Sequence, residues 1–183
     1  MILFPKRYAD FVARLRVPSG FLIVLVFGLL SRPRQASLAW GLPLSLAGLL
    51  LRGWAAGCLD KNRALSIGGP YAHTRNPLYL GTLLVAAGLA IAASSPWLAL
   101  LFACVFFFVY LPVIQLEEQH LRHLFPEYES YAARVRVLWP RLTRDPQSTP
   151  AAFRFRLYLQ NQEYQAAAGF AVALLYLIWR LPR

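Results

Sequence analysis

The sequence predicts an all-α polytopic membrane protein of about five transmembrane helices, with interfacial helices on the cytoplasmic side. Three observations carry that expectation. Of 183 residues, 58% are hydrophobic and only 15% are charged, against about 45–50% and about 25% in ordinary soluble domains. Between Arg75 and Glu117 lie 41 positions without a single charge, which as helix would extend about 62 Å, roughly two hydrocarbon thicknesses. The 19 Lys and Arg, set against 8 Asp and Glu, flank the apolar runs instead of forming one stripe.

The first span is expected to begin within Phe11–Val17 and end at Leu30, with Pro18 in its first turn, where proline is tolerated. It has the length of a signal-peptide core. No small-residue cleavage pattern follows, and Ser31-Arg32-Pro33 leads into another apolar stretch, so an uncleaved span is the more economical reading. The second runs from about Ala36 to Leu51, continuing toward Leu59, with Pro43 and several glycines permitting a kink and close packing. The 41-residue stretch has to be cut once, and Ser94-Ser95-Pro96 supplies a serine N-cap with proline at the first helical position. Spans three and four are therefore Pro77–Ala93 and Pro96–Leu116. Tyr164–Trp179 forms a fifth, about 24 Å long, enough for a thin or pinched core.

The basic residues choose the orientation. With the N-terminus inside, 15 Lys and Arg lie on the inner side and 4 outside, namely Arg32, Arg34, Arg180 and Arg183, which favours a cytoplasmic N-terminus. The chain then reads as one membrane-embedded domain, 1–183. Its chemistry-bearing core is 60–140, followed by a linker and interfacial segment at 141–163, and an additional C-terminal span at 164–183. Two polar segments, Asp60–Asn76 and Glu117–Glu163, fall on the same side, and any chemistry is expected where they meet. The oligomeric state is left open.

Several function classes are excluded. No recognition helix, zinc knuckle or stacking platform accompanies the basic residues, so no nucleic acid is expected as a partner. Cys58 and Cys104 sit in apolar surroundings without a disulfide or metal pattern. Glu117-Glu118-Gln119-His120 has E-x-x-H spacing, but no second such motif exists and the chain holds only His73, His120 and His123, so no metal site is expected. There is no G-x-S-x-G elbow, P-loop or strand-borne G-x-G-x-x-G either.

Within the first polar segment, Gly68-Gly69-Pro70-Tyr71 reads as a tight turn and Arg75-Asn76-Pro77 as a helix entry, with Asn76 capping and Pro77 at the first helical position. That is either a well-made helix start or, with Arg75 beside it, an anion site. Tyr71 and Tyr79 supply aromatic walls or interfacial anchors. Within the second segment, Glu117 has Val113, Ile114, Leu121 and Leu124 on its own helical face. A carboxylate there costs free energy unless it is paired or faces a polar cavity, which makes Glu117 a functional candidate. Glu118 has Arg122 at i+4, the spacing of a solvated surface pair.

Together the segments Gly69-Pro70-Tyr71-Ala72-His73-Thr74-Arg75-Asn76-Pro77-Leu78-Tyr79-Leu80-Gly81 and Glu117-Glu118, followed by Phe125-Pro126-Glu127-Tyr128-Glu129-Ser130-Tyr131, Val135 and Pro140, resemble a known superfamily. It is that of the isoprenylcysteine carboxyl methyltransferases and phospholipid methyltransferases, and the resemblance covers roughly residues 60–140. It implies S-adenosylmethionine as cofactor, bound at the cytoplasmic end of the bundle, and a lipophilic small-molecule or lipidated acceptor entering from the membrane. By matching positions it implies cofactor contacts at Ala64, Leu65, Ser66, Tyr71, Asn76, Pro77, Leu78, Tyr79 and Glu117. Arg75 and Glu118 are the implied catalytic groups.

Two positions depart from the pattern. Carboxyl methyltransferases of this superfamily resemble one another in carrying an arginine four residues before the glutamate, where this chain has Val113, and Asn76 replaces the commoner histidine. A prenylcysteine carboxylate is thereby disfavoured, leaving a phospholipid amine or another lipid hydroxyl, thiol or carboxyl group. Beyond the resemblance, Asn161 and Glu163 read as an ordinary helix cap and a surface acid, with contact to an acceptor as the alternative. Two alternatives stay open: an NADPH-dependent sterol-type reductase, which also carries a turn similar to R-N-P-L-Y, and a non-enzymatic membrane scaffold.

Overall fold

The computed structural model describes residues 4–182, apart from the side chains at 16 and 17. Two basic residues used for orientation, the side chain of Arg16 and Arg183, lie outside that range, as does the side chain of Val17 at the expected start of the first span. Among the described residues seven α-helices order the chain: α1 Lys6–Leu30, α2 Gln35–Cys58, α3 Pro77–Ala92, α4 Pro96–Leu124, α5 Tyr128–Arg134, α6 Phe155–Gln160 and α7 Tyr164–Trp179. No strand occurs among the described residues. By length and composition α2 and α4 suffice to cross a membrane, and α1 does so if its bent halves count as one span; α3 and α7 are apolar but shorter.

α1 starts earlier than the sequence suggests, at Lys6, so Pro18 falls in its interior. There it removes a donor and crowds the preceding turn, and the halves Lys6–Leu15 and Pro18–Leu30 are bent by 54°. α4 holds a second proline device. Pro112 has no N–H to give the carbonyl four residues back, that of Phe108, and the helix widens into a π turn over Phe106–Tyr110. The stranded Phe108 carbonyl accepts from the Tyr8 hydroxyl at 2.9 Å, so α1 satisfies an acceptor that α4 cannot.

α2 and α3 form the tightest pair. A Cβ placed on Gly41 would stand 2.4 Å from the Gly88 carbonyl oxygen, and one on Gly48 would stand 2.6 Å from that of Gly81. Gly81 and Gly88 meet the same limit in return, at 2.7 and 2.5 Å from the Gly48 and Gly41 oxygens. With the contacts seven positions apart on both helices, the small residues let backbones touch where apolar burial against lipid gives little. Ser45 adds a hydrogen bond to the Val85 carbonyl at 3.2 Å. At one end of the pair, the Arg32 amide and the Ser37 hydroxyl close on the Ala93 and Ala92 carbonyls at 2.8 Å each. Ser95 caps α4 as expected, accepting from the Leu98 amide with Pro96 next in line.

At the other end, the polar segments converge. Residues 136–145 run against 72–75 through backbone bonds, Arg75 N to Arg136 O at 2.9 Å, Arg141 N to His73 O at 2.9 Å and Asp145 N to Ala72 O at 3.1 Å. Thr74, buried, donates to the Val137 or Leu138 carbonyl, both at 3.1 Å. The stretch 141–163 is therefore stitched to the core instead of a plain linker: fully buried Asp145 pairs with Arg134 at 3.0 Å, and the Arg154 amide donates to the Gly57 carbonyl at 2.9 Å.

Two side chains beyond the motifs depart from expectation. Glu163 is 6% exposed and grips Arg52 with both oxygens, Nε to Oε1 at 2.6 Å and Nη2 to Oε2 at 2.9 Å. It is not a surface acid, because Arg52 would otherwise be an unpaired cation inside an apolar bundle. Asn161 is a cap, but of another helix: its amide donates to the Ala56 and Leu59 carbonyls at 3.0 and 2.9 Å, the unsatisfied end of α2.

Candidate functional site

Where the two polar segments meet, a narrow cavity of about 120 Å³ opens between the α2 exit, the turn before α3 and the end of α4. The stretch after α2 gives Leu59, Lys61, Asn62, Ala64, Leu65 and Ser66, the turn gives Tyr71 and Arg75, α4 gives Glu117, His120 and Leu121, and the chain beyond it gives Phe125, Tyr128 and Tyr131. The turn is a 3-10 segment, Gly69–Ala72, with Gly69 at φ 59°. A Cβ on Gly68 would meet the Thr149 carbonyl at 2.3 Å, so glycine is required for the later segment to lie over the turn.

Glu117 is the acid of this cavity. Its Oε1 accepts from the Tyr79 hydroxyl at 2.8 Å, and among the described residues no Lys or Arg comes within ion-pair distance of it. The partner of this carboxylate on its apolar face is thus a neutral phenol, and Glu117 shares the cavity with Lys61 and Arg75 without forming an ion pair to either. Tyr79 is itself buried, and its ring stands edge-on to that of Tyr110, centroids 6.0 Å apart.

Glu118, one position on, faces elsewhere. It binds Arg75, Nε to Oε1 at 3.0 Å and Nη2 to Oε2 at 3.2 Å, and accepts from the Asn76 amide at 3.3 Å. The Nε contact is one of charge alone, since its angle falls short of a hydrogen bond. Arg75 also donates to the Ala132 carbonyl at 2.8 Å. The i+4 pairing of Glu118 with Arg122 is not formed; Arg122 bonds Glu129 instead, because the more buried Arg75 claims the carboxylate first. Asn76 occupies the N-cap position without making a side-chain cap. Its amide donates to Glu118 and to the Val137 carbonyl at 3.1 Å. The anion next to the α3 start is thus the protein's own Glu118.

Of the expected contact residues, Ala64, Leu65, Ser66, Tyr71, Arg75 and Glu117 line the cavity. Asn76, Pro77, Leu78, Tyr79 and Glu118 stand behind its wall: Pro77 is buried at the helix start, Leu78 offers its carbonyl to Arg52 and Thr82, and Tyr79 holds Glu117. The reading by residue type missed Lys61, Asn62, His120, Phe125, Tyr128 and Tyr131 as lining groups. The two tyrosines were visible in the motif and His120 stands one turn after Glu117. Burial, foremost, raises the phenol pKa of Tyr71, Tyr128 and Tyr131 well above the usual tyrosine range; for Tyr71 the neighbouring Tyr131 adds to it, and for Tyr128 the Glu118 carboxylate. All three walls are neutral at ordinary pH. Tyr131 donates to the Tyr71 carbonyl at 2.7 Å.

The narrow cavity thus sets one carboxylate, Glu117, beside Lys61 and Arg75, with three buried phenols on its walls. In comparison with known proteins, residues 40–128, a little under half of the chain, match the phospholipid methyltransferase family model. That segment is thus similar to the phospholipid methyltransferases, a family within the integral membrane methyltransferase superfamily.

The family segment takes in α2, α3 and α4 with Tyr71, Arg75, Tyr79, Glu117 and Glu118, and ends at Tyr128. α1 and α5–α7 lie outside it or nearly so. Among curated proteins, the chain is similar to the cobalt-zinc-cadmium resistance protein CzcN of Cupriavidus metallidurans, 35% identical over 105 residues, 56% of this chain and 47% of that one. It is also similar to the nickel-cobalt-cadmium resistance protein NccN of Alcaligenes xylosoxydans xylosoxydans, 36% identical over 83 residues, 45% of this chain and 39% of that one. The matches span less than half the length of either relative. No solved structure is significantly similar to the chain. Among the described residues no three His, Cys, Asp or Glu side chains are grouped to hold a metal ion.

Proposed function

We propose that the chain is a membrane methyltransferase that moves the methyl group of S-adenosylmethionine to a lipophilic acceptor at the cytoplasmic membrane interface. One observation carries the reading: Glu117, outside any ion pair among the described residues and hydrogen-bonded by Tyr79, faces a phenol-walled cavity within the matched segment. The residues fit the donor. Glu117 has lone pairs left for hydroxyl or ammonium protons. The aromatic faces of Tyr128, Tyr131 and Phe125 suit both an adenine ring and a cationic sulfur.

When bound, the donor supplies a sulfonium methyl group open to in-line displacement. The protein's share is positioning, where proximity contributes about 7–11 kcal/mol. Glu117 orients the donor, Tyr79 fixes the rotamer of Glu117, and backbone groups of Ala64, Leu65 and Ser66 form the opposite wall. Arg75 and Glu118 act as a positioning pair that locks the start of α3 to the end of α4, with Arg75 also presenting a face to the cavity. At about 120 Å³ the cavity is smaller than the roughly 300–1,000 Å³ of small-molecule sites. Binding therefore moves the exposed stretch 61–64 outward.

In this reading α1, α2, α3, α4 and α7 all cross the membrane, with the N-terminus and the cavity on the cytoplasmic side. The α2 exit, the α3 entry, the α4 end and the α7 start lie together, and most of the basic residues lie at that end. Calorimetric titration with S-adenosylhomocysteine tests the function: saturable binding that weakens in Glu117→Gln is expected. Binding of NADPH instead moves the assignment to a reductase.

A further inference from the structure

A second, larger cavity of about 770 Å³ lies inside the helical bundle, apart from the one holding Glu117. Its walls come from α1, α2, α3, α4 and α7, and are hydrocarbon except for Arg52, Thr82, Tyr110 and Tyr176. Three of these polar groups, Arg52, Thr82 and Tyr110, gather at the end nearest Glu117. From Ala166 to Tyr176 along α7 the cavity extends about 15 Å. Two lining residues, Val24 of α1 and Val172 of α7, are 70% and 68% exposed, so a mouth opens sideways between these helices toward the bilayer. Neither helix belongs to the matched family segment.

The polar end is electrically closed. Arg52 gives Nε and Nη2 to Glu163, and Nη1 to the Leu78 carbonyl at 3.2 Å and the Thr82 hydroxyl. An incoming phosphate or carboxylate would either displace Glu163, leaving a buried acid without its cation, or add a net negative charge to an apolar chamber; both are costly. A neutral hydrogen-bonding head meets neither cost. The Tyr79–Tyr110 ring pair connects this end to Glu117: Tyr110 lines the cavity, its ring centroid is 6.0 Å from that of Tyr79, and Tyr79 bonds the carboxylate.

We propose that this cavity binds the methyl acceptor, and that the acceptor is an amphiphile with an uncharged hydroxyl or thiol head, not a phosphate- or carboxylate-bearing lipid. The inference rests on the methyltransferase reading and narrows its substrate class. In the transfer, a lone pair of the acceptor oxygen or sulfur bonds the methyl carbon. The carbon–sulfur bond of the sulfonium breaks, its electron pair returns to sulfur, and the head-group proton leaves to water.

The test uses the full chain in lipid nanodiscs and hexadecanol bearing a mid-chain diazirine, with cross-links mapped by mass spectrometry. Labelling is expected on α1 and α7 residues of the cavity wall, competed by unlabelled hexadecanol and at least about tenfold less by hexadecyl phosphate or palmitate. A plug supplies the second arm. A Cβ on Gly169 meets nothing within 4 Å, so Gly169→Phe fills the chamber without disturbing the helix, and Ala166→Phe does so nearer the polar end. Both should lose most labelling while S-adenosylhomocysteine affinity stays within about twofold of the parent, which also certifies their folding. Equal competition by the phosphate overturns the neutral-head class, and undiminished labelling in both plugs overturns the site. Plug-sensitive labelling in a parent that binds no S-adenosylhomocysteine defeats the methyltransferase reading while leaving the neutral-amphiphile site standing.

Discussion

Tyr79 donates its phenol proton to Glu117 across 2.8 Å, tying the first turn of α3 to the last turns of α4. The bond sets the carboxylate's direction and uses one of its lone pairs, so the remaining ones face the cavity. Hydrogen bonds to a charged acceptor contribute about 1.5–3 kcal/mol. Tyr79→Phe keeps the ring against Tyr110 and removes the donor. S-adenosylhomocysteine affinity, read by calorimetry, should fall about tenfold or more with little change in melting temperature.

The pair of Arg52 and Glu163 predicts a non-additive cycle. Glu163→Leu or Arg52→Met alone leaves a buried charge without its partner, a loss of about 3–5 kcal/mol. The double variant Arg52→Met with Glu163→Leu should recover most of that loss. Detergent-solution melting of the four proteins measures it.

The contact between Gly48 and Gly81 predicts a steric limit. Replacing Gly81 by Val drives a side chain into the Gly48 carbonyl and the Arg52 stem. The α2–α3 pair has to separate at a cost of about 1–3 kcal/mol or more. Gly169→Val, where a Cβ has room, should be tolerated in the same melting assay.

The buried phenols predict an alkaline limit. Their pKa values are raised in the folded protein, chiefly by burial. The stability this neutral state confers is therefore fully present below the ordinary tyrosine pKa of about 10 and is lost as pH rises above it. Melting temperature should be flat with respect to these groups from about pH 7 to 9 and fall above about 10, together with the rise of tyrosinate absorbance. Tyr131→Phe should soften that fall and cost about 1 kcal/mol at neutral pH through the lost bond to the Tyr71 carbonyl.

The helices were legible because uncharged runs and proline or serine starts mark them locally, as at Ser95-Pro96. Glu117 was legible for a related reason: its apolar face is written at i±3 and i±4 in its own helix. What could not be read locally is pairing between distant segments. Glu118 had Arg122 at helical spacing, yet the buried Arg75, 43 residues away in sequence, takes it. Glu163 looked like a surface acid because its cation, Arg52, lies 111 positions earlier. The Phe108 carbonyl that Pro112 leaves without a donor is answered by Tyr8, 100 positions earlier, a pairing that only the folded chain shows. The motif tyrosines Tyr128 and Tyr131 were in view, and only the turn of chain after α4 makes them cavity walls.

The most direct test of the account is calorimetric titration of S-adenosylhomocysteine into the purified full chain and its Glu117→Gln variant, with NADPH as the comparison ligand. The account predicts saturable binding of S-adenosylhomocysteine by the parent, an affinity at least about tenfold weaker in the variant, and no saturable binding of NADPH. Equal affinity in parent and variant, or saturable binding of NADPH in place of S-adenosylhomocysteine, would contradict it.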